Sequence, residues 1–317
     1  MSSFTGECQA YFYRFLAYLK AERNASPNTL RIYTNDLEGN CLRGEGRGFF
    51  QFLELKRTVS LHDVDHRIVR EYAAWLMASG MARTSIARRL SAIRSFYRYL
   101  AREGIIAVNP VKHTSSPKLD RTVPGFLTVE EVARLIESPA ATGDTGLRDR
   151  ALLELFYASG MRVSELAGLD LEDIDLNTNE IRVTGKGAKT RIVLMGVPAA
   201  AALKRYLAEA RPALGGRSQT SAVFLSRGRG RLSTRMIQYL IKKYWKSSGK
   251  AEKGGKNVHP HTLRHTFATH LLDGGADLKV VQELMGHSSL SSTQVYTHLS
   301  KGQLRKVYLN AHPLAKE

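Results

Sequence analysis

Cysteine is nearly absent from this chain of 317 residues, with only Cys8 and Cys41 present. Two thiols exclude a disulfide framework and a four-thiolate metal site, and they read as reduced side chains in a cytosolic protein. Long hydrophobic runs are also missing. No stretch approaches the roughly 20 apolar residues of a membrane-spanning helix. The opening MSSFTGECQA has no basic start followed by an apolar stretch, so neither membrane insertion nor a signal peptide is expected. Acidic residues are the third scarcity. Asp and Glu number 29 against 47 Lys and Arg, a formal net charge of +18. A soluble chain this basic expects a polyanionic partner. Disorder is excluded by the 43% of apolar residues, enough to build cores.

The positive charge is spread along the chain. Residues 1–116 hold 17 basic and 10 acidic residues, net +7, leaving 30 and 19 in residues 117–317, net +11. Two basic jaws closing on a duplex fit this better than a neutral enzyme with a basic tail. The first jaw reads as helices. Tyr11, Phe12, Phe15, Leu16 and Leu19 form a helical stripe within Glu7 to Lys20. Ser26-Pro27 supplies an N-cap and a first-turn proline for a helix through Leu30, Tyr33 and Leu37. Glycines at 39, 44, 46 and 48 interrupt it before an apolar burst from Phe49 to Leu55. Further helices are predicted at about Val64 to Ala78 and Thr84 to Glu103, the second carrying Arg88, Arg89, Arg94, Arg98 and Arg102. Those arginines are either a solvated face or a face laid against phosphates, and the overall charge favours phosphates, making Arg88, Arg89, Arg94 and Arg98 candidate DNA contacts.

The stretch from Asn109 to Pro124 is polar, aperiodic and holds three prolines, which reads as a linker. The expected organisation is a helical domain at 1–112, a linker at 113–126 and a second domain at 127–317. That second domain opens on the capping box Thr128-Val-Glu-Glu131 before the stripe Val132, Leu135, Ile136. A helix over Gly146 to Ser159 follows, then a hairpin of Ile181–Thr184 and Arg191–Met195 around Gly185-Lys186-Gly187-Ala188-Lys189. Helices are predicted near 198–211, 233–248, 261–273, 278–285, 291–297 and 301–311. The fold class is therefore mainly α, with one small antiparallel sheet. Between Arg217 and Lys256 stand 11 basic residues and one acidic residue, Glu252, which nominates Arg235, Lys242 and Lys243 as further DNA contacts.

His261 and Arg264 are three apart, on one face of a helix. An imidazole beside a guanidinium suits a phosphate, because the fork grips two oxygens and the ring moves a proton. Zinc is the rival, since His259, His261, His265 and His270 crowd this stretch. The zinc-helix pattern needs a glutamate after the first histidine, where Thr262 stands, and Arg264 would repel a cation. No metal or other cofactor is therefore expected. Arg162 and Glu165 are also three apart at a helix start, so the carboxylate can hold the guanidinium in one orientation. Lys186 stands between glycines on the hairpin turn, and Gly286-His287 precedes Tyr296 by nine positions. Each signal alone also has an ordinary surface or core explanation.

Taken in order, the arginine, lysine, His-x-x-Arg, histidine and tyrosine resemble the tyrosine recombinase (phage integrase-like) family over nearly the whole chain. The most specific segments are Val258 to Leu272 and Val281 to His298. Ser26-Pro-Asn-Thr-Leu30, Tyr33, Asp36-Leu37 and Val307-Tyr-Leu-Asn-Ala-His-Pro313 resemble the Xer subgroup, which resolves chromosome dimers. One departure is the glycine-rich Gly39–Gly48 where such proteins usually continue one helix. The resemblance implies a helical core-DNA-binding domain and a catalytic domain that cuts DNA without metal or nucleotide. Tyr296 would be the nucleophile, forming a 3′-phosphotyrosyl link and releasing a 5′-hydroxyl. Arg162 and Arg264 would clamp the non-bridging oxygens, Lys186 would protonate the leaving oxygen, and His261 and His287 would serve proton transfer and phosphate binding. Glu165 would support them from behind.

The same resemblance implies a double-stranded recombination site as substrate and a Holliday junction as intermediate. It implies a homotetramer or heterotetramer that exchanges C-terminal helices cyclically, with a DNA translocase as a candidate activator, acting at the nucleoid in the cytoplasm. Leu304, Val307, Tyr308 and Leu309 give the last helix an apolar stripe for that exchange, while packing on its own domain is the alternative. Three other functions share these residues: an integrase of a mobile element, a type IB topoisomerase, and an inactive DNA-binding protein. The filled catalytic positions disfavour the last.

Overall fold

The computed structural model describes residues 3–39, 47–58, 60–112, 114, 125–185, 190–249, 256–286 and 301–315. The chain divides into two compact units, Met1–Thr122 and Val123–Glu317.

The first unit is all helical: α1 (Ser3–Ala21), α2 (Pro27–Leu37), α3 (Phe49–Leu55), α4 (His66–Ala78) and α5 (Arg83–Arg102). Ser26 caps α2 as expected, its hydroxyl accepting from the Thr29 N–H at 3.2 Å, with Pro27 in the first turn. Helix α5 is the hub, with Ile86, Leu90, Ile93, Phe96, Tyr97 and Leu100 buried along it. Aromatic rings fill the space around it. Phe15 meets Tyr33, Phe96 and Tyr99, each at 5.4 Å between centroids, and Phe50 meets Phe12 and Phe96 at 5.6 Å. The described ends of the glycine-rich interruption lie against each other. The chain leaves α2 at Gly39 (φ +94°) and returns at Gly48, where a Cβ would lie 2.2 Å from the Glu38 carbonyl carbon. Only glycine permits that approach.

The second unit is built around α7 (Asp144–Ser159), a helix buried almost all round, as a central core helix must be. Around it lie α6 (Val129–Glu137), α9 (Val197–Arg205), α10 (Arg211–Gly215) and α12 (Pro260–Asp273). Thr128 and Glu131 form the expected capping box on α6, with bonds of 3.2 and 2.8 Å. Helices α8 (Val163–Gly168), α11 (Thr234–Ser247), α13 (Leu278–Met285) and α14 (Lys301–Ala311) are the other α-helices among the described residues of the unit. The helix predicted near 198–211 runs on to Gly215 despite Pro212. A π turn over Tyr206–Ala210 joins α9 to α10 and accommodates the proline ring and its missing N–H. The helix predicted near 291–297 lies outside the described residues.

The sheet is antiparallel in the order β1 (Ile174–Asp175), β2 (Glu180–Thr184), β3 (Thr190–Leu194). Strand β1 was not foreseen, two residues being too short to show a period. Register pairs Ile181 with Val193 and Val183 with Arg191. Directly opposed residues share a face. Ile181, Val183 and Val193 are buried, so Arg191 points inward at a position where alternation calls for an apolar side chain.

Of the two partners open to the terminal helix, the single chain shows the one it supplies itself. Its stripe packs on its own unit: Tyr308, Ala311 and Ala315 are buried in one cluster with Phe267, Leu271, Val281 and Leu284. Glycines make the fit. A Cβ at Gly274 would stand 2.2 Å from the Ala311 carbonyl oxygen, and one at Gly196 would stand 2.9 Å from the Ala315 Cα. Within the single chain the stripe is therefore covered in cis, not left open for a neighbouring subunit.

Gly160 ends α7 in the left-handed region at φ +55°, and a Cβ there would meet the Phe267 ring at 2.2 Å. Gly160→Ala combines backbone strain with overpacking and should destabilise the second unit by about 2–4 kcal/mol. Urea denaturation monitored by near-ultraviolet circular dichroism measures it.

Candidate active site

Two chain segments, the start of α8 and strand β3, meet on one carboxylate. Arg162 is the N-cap residue of α8 and Glu165 its third helical residue, so the carboxylate turns back to accept the Arg162 backbone N–H at 2.7 Å. The same carboxylate accepts from Arg162 Nη1 at 2.8 Å, and from Arg191 Nη1 and Nη2 at 2.8 and 2.9 Å. Its side chain is only 3% exposed. Burial alone would push the Glu165 carboxyl up, but the Arg191 hydrogen bonds, the Arg162 N–H and the two positive charges bring it down to about 2.

The C-terminal end of α13 supplies the second anchor. Gly286 caps it at φ +65°, a left-handed turn that glycine adopts without strain. Met285 and Gly286 then present consecutive carbonyl oxygens. Arg264 Nη2 donates to the first at 2.6 Å, and Arg162 Nη2 to the second at 3.1 Å. Arg264 Nη1 reaches the Gly160 carbonyl. Both guanidiniums thus sit where a helix end carries partial negative charge. Burial first, and then the nearby Arg162 charge, lower Arg264 to about 10, which leaves it charged at neutral pH. Three arginines and one carboxylate make a cluster with a surplus of two positive charges, and the Arg162 side chain remains 40% exposed.

His261 stands in the first turn of α12, which His259 caps through its Nδ1, accepting from the Thr262 N–H at 3.2 Å. The His261 side chain is exposed and opens on a shallow cleft shared with Val163, Gln238, Lys242 and His259. Of the sequence candidates, the structure therefore brings together Arg162, Glu165 and Arg264, and places Lys242 beside His261. Lys186, His287 and Tyr296 lie outside the described residues, between or after elements that are described. Arg191 was missed. Its signal was an arginine on the inward face of a strand. Among the described residues no group of three or more His, Cys, Asp or Glu side chains is placed to hold a metal ion.

The structure separates the arginines of α5 by burial and partner. Arg89 has an 11% exposed side chain and is bonded inward, to the Arg47 carbonyl and to Tyr72 Oη at 3.2 Å. Arg88 pairs with fully buried Asp36. Arg102 pairs with Glu22 and Glu103 and stacks on Tyr18 at 4.1 Å. A buried carboxylate must recruit cations, and α5 is the helix that faces Asp36. Arg94 is half-buried, with Nε donating to the Leu90 carbonyl at 3.3 Å, while Arg98 is exposed. On α11, Arg235, Lys242 and Lys243 are all exposed, along with Tyr239 at 60%. Parts of the basic run before Lys256 are tied down internally: Arg231 pairs with Asp170, and Lys256 with Glu131.

Residues 125–303 match the phage integrase family, and residues 12–104 match the phage integrase N-terminal SAM-like domain. Tyrosine recombinase XerC of Pelotomaculum thermopropionicum is 48% identical over 308 residues, spanning 95% of this chain and 97% of that protein. Tyrosine recombinase XerD of Staphylococcus epidermidis is 40% identical over 301 residues, spanning 95% and 98%. Among solved structures, the XerH site-specific recombinase bound to a palindromic difH substrate, in its post-cleavage complex, aligns with a TM-score of 0.69. That alignment covers 98% of this chain and 97% of the other at 22% identity, a likeness of fold.

Two measurements check this geometry. Arg89→Ala breaks a buried network and should cost about 3 kcal/mol of stability. Arg98→Ala should change stability by less than about 0.5 kcal/mol; it should weaken DNA binding evenly across sequences and reduce the salt slope by about 1. Denaturation and binding titrations on both variants separate the roles. The depressed Glu165 carboxyl stabilises the fold fully above its ordinary value of 4.5, and that stability is lost as pH falls through about 2. Acid titration of the wild type should show this loss, and Glu165→Gln should lack it.

Proposed function

The chain belongs to the phage integrase family of tyrosine recombinases, and from that premise we propose that it is a site-specific DNA recombinase with an Xer-type role in resolving chromosome dimers. As a member it is an enzyme of DNA strand breakage and rejoining. The observation that carries the residue-level reading is the pair Arg162 and Arg264, fixed by one saturated carboxylate and two consecutive carbonyls. Held cations of this kind stabilise charge as it builds on non-bridging phosphate oxygens, with no reorganisation during the reaction.

The reading assigns Tyr296 as nucleophile. Its phenolic oxygen bonds to the scissile phosphorus as the bond to the 5′-oxygen breaks, leaving a 3′-phosphotyrosyl link and a free 5′-hydroxyl. The covalent link conserves the phosphodiester for rejoining. A free phenol with a pKa near 10 is a weak nucleophile at neutral pH, and a cationic pocket meets that need. Lys186 donates the proton to the leaving 5′-oxygen, His261 assists proton transfer at the tyrosine, and His287, directly after Gly286, donates to the phosphate. The mechanism uses neither metal nor nucleotide.

Residues 1–112 act as the core-DNA-binding domain and 127–317 as the catalytic domain, joined by 113–126. Arg98 on α5 and Arg235, Lys242 and Lys243 on α11, all exposed, are assigned to phosphates. Recombination exchanges strands between two duplexes through a Holliday junction, so four subunits act together. Each subunit carries the same groove of Phe267, Leu271 and Gly274 that holds α14 in cis. A helix released from its own groove fits the neighbour's identical one, and such a head-to-tail contact closes a ring. The chain works at the nucleoid, as one of two paired recombinases or alone, with a DNA translocase as activator.

The test uses a duplex recovered by binding selection from a genomic library, nicked so that cleavage traps the covalent complex. Wild type should form a covalent protein–DNA band on denaturing gels, in EDTA as in buffer, and should join two such sites through a Holliday junction. Tyr296→Phe should bind the duplex and give no band. A persisting band in that variant moves the nucleophile elsewhere, and cleavage without junction formation favours a topoisomerase.

A further inference from the structure

The two arginine forks on Glu165 are not equivalent. Arg191 meets the carboxylate end-on, with Nη1 on Oε1 and Nη2 on Oε2, the parallel bidentate geometry that a guanidinium and a carboxylate prefer. Arg162 takes what is left: one Nη1 bond to Oε1, already shared with Arg191, while its backbone N–H takes Oε2. A carboxylate has about four acceptor sites, and all four are filled. Arg162 therefore keeps most of its N–H groups off the carboxylate. One bond goes to the Gly286 carbonyl, and the side chain stays 40% exposed.

Arg191 itself has no such freedom. Its side chain is 18% exposed, both terminal nitrogens are engaged on Glu165, and Nε is buried without a hydrogen-bond partner. It also walls the turn at Gly286, where a Cβ would come within 2.7 Å of Arg191 Nε and 2.9 Å of Cζ. The strand register aims it there, opposite Val183 on the buried face of the hairpin.

Resting on the catalytic reading above, we propose that Arg191 is a positioning residue for phosphoryl transfer. By occupying the bidentate edge of Glu165, it denies that edge to Arg162 and keeps the Arg162 fork available to the scissile phosphate. Without Arg191, Glu165 is an undersatisfied buried carboxylate, and Arg162 is the cation still hydrogen-bonded to it among the described residues. Arg162 then turns to chelate it with two nitrogens, and the phosphate loses a donor. Arg191 acts through Glu165 and does not touch DNA, so its removal should affect the chemical step and leave binding nearly intact.

Single-turnover cleavage of the nicked duplex tests this, with DNA affinity and thermal denaturation measured on every variant. Arg191→Ala should cleave roughly 100-fold more slowly, the size of effect seen when one oriented electrostatic donor is lost, with affinity within about threefold. Arg191→Lys keeps the charge without the fork and should fall between. The deciding variant is Arg191→Ala with Glu165→Gln. A neutral amide cannot hold Arg162 as an ion pair does, so the double variant should cleave at least about tenfold faster than Arg191→Ala alone, a non-additive outcome. Folded Arg191→Ala with wild-type cleavage, or a double variant showing the product of the two single effects, overturns the proposal. If Arg191→Ala does not fold, Arg191→Lys decides, and a wild-type rate for it is likewise fatal. Arg162→Ala and Tyr296→Phe run alongside. Cleavage persisting in those two refutes the catalytic reading itself, whereas their inactivity with an unimpaired Arg191→Ala refutes only the positioning role.

Discussion

A single buried carboxylate organises the second unit. Glu165 ties the start of α8, strand β3 and, through Arg162, the carbonyl end of α13 into one cluster. Burying a carboxylate is unfavourable unless its lone pairs are filled, and here four N–H groups fill them. Because the partners are arginines, the requirement of one acid fixes positive charge in one place, as the proposed phosphate chemistry requires. Arg264 joins from α12 through the adjacent Met285 carbonyl, so both guanidiniums are held by groups that have no part in the proposed reaction. Orientation is thus built before substrate arrives.

The first unit repeats the device for a different end. Asp36 is fully buried and draws Arg88 directly and Arg89 from nearby, while Tyr72 donates to the Arg47 carbonyl at 2.8 Å. Burial raises the Asp36 carboxyl, and the two arginines offset only part of that rise. Here the cations hold helices α2 and α5 together; the Arg89 side chain is bonded inward, while that of Arg88 stays 46% exposed. Net charge therefore overstates the surface open to DNA. Of the six arginines on α5, Arg83 and Arg98 are exposed with no internal partner shown, whereas α11 keeps Arg235, Lys242 and Lys243 in solvent, Lys242 lining the His261 cleft.

The terminal helix illustrates how an amphipathic stripe alone leaves its partner undetermined. Leu304, Val307, Tyr308 and Leu309 require an apolar surface, and nothing in their spacing says whose. The glycines at 196 and 274 answer for the single chain, because each opens room for backbone of the tail to lie against the second unit. Identical chains carry identical grooves, so the contact that closes the monomer is also the one a ring can exchange.

Local chemistry made much of this legible in advance. Ser26-Pro27 and the Thr128–Glu131 box start helices wherever they stand, since the caps satisfy N–H groups within four residues. The Arg162–Glu165 bond was readable for the same reason, both partners lying on one turn. What the sequence determined was therefore whatever is settled within a turn or by composition: helix starts, the hairpin, the basic surplus, the pairing at i and i+3. What only the tertiary structure decided were contacts across long separations. These are Arg191 meeting Glu165 across 26 residues, Arg264 meeting Met285 across 21, Arg89 turned inward to Tyr72, and α14 docked on its own unit. The reason is that burial converts a charge from a solvated group, indifferent to its neighbours, into one that must find a partner. Which partner is within reach depends on strand register, left-handed turns and close backbone approaches that no local pattern encodes.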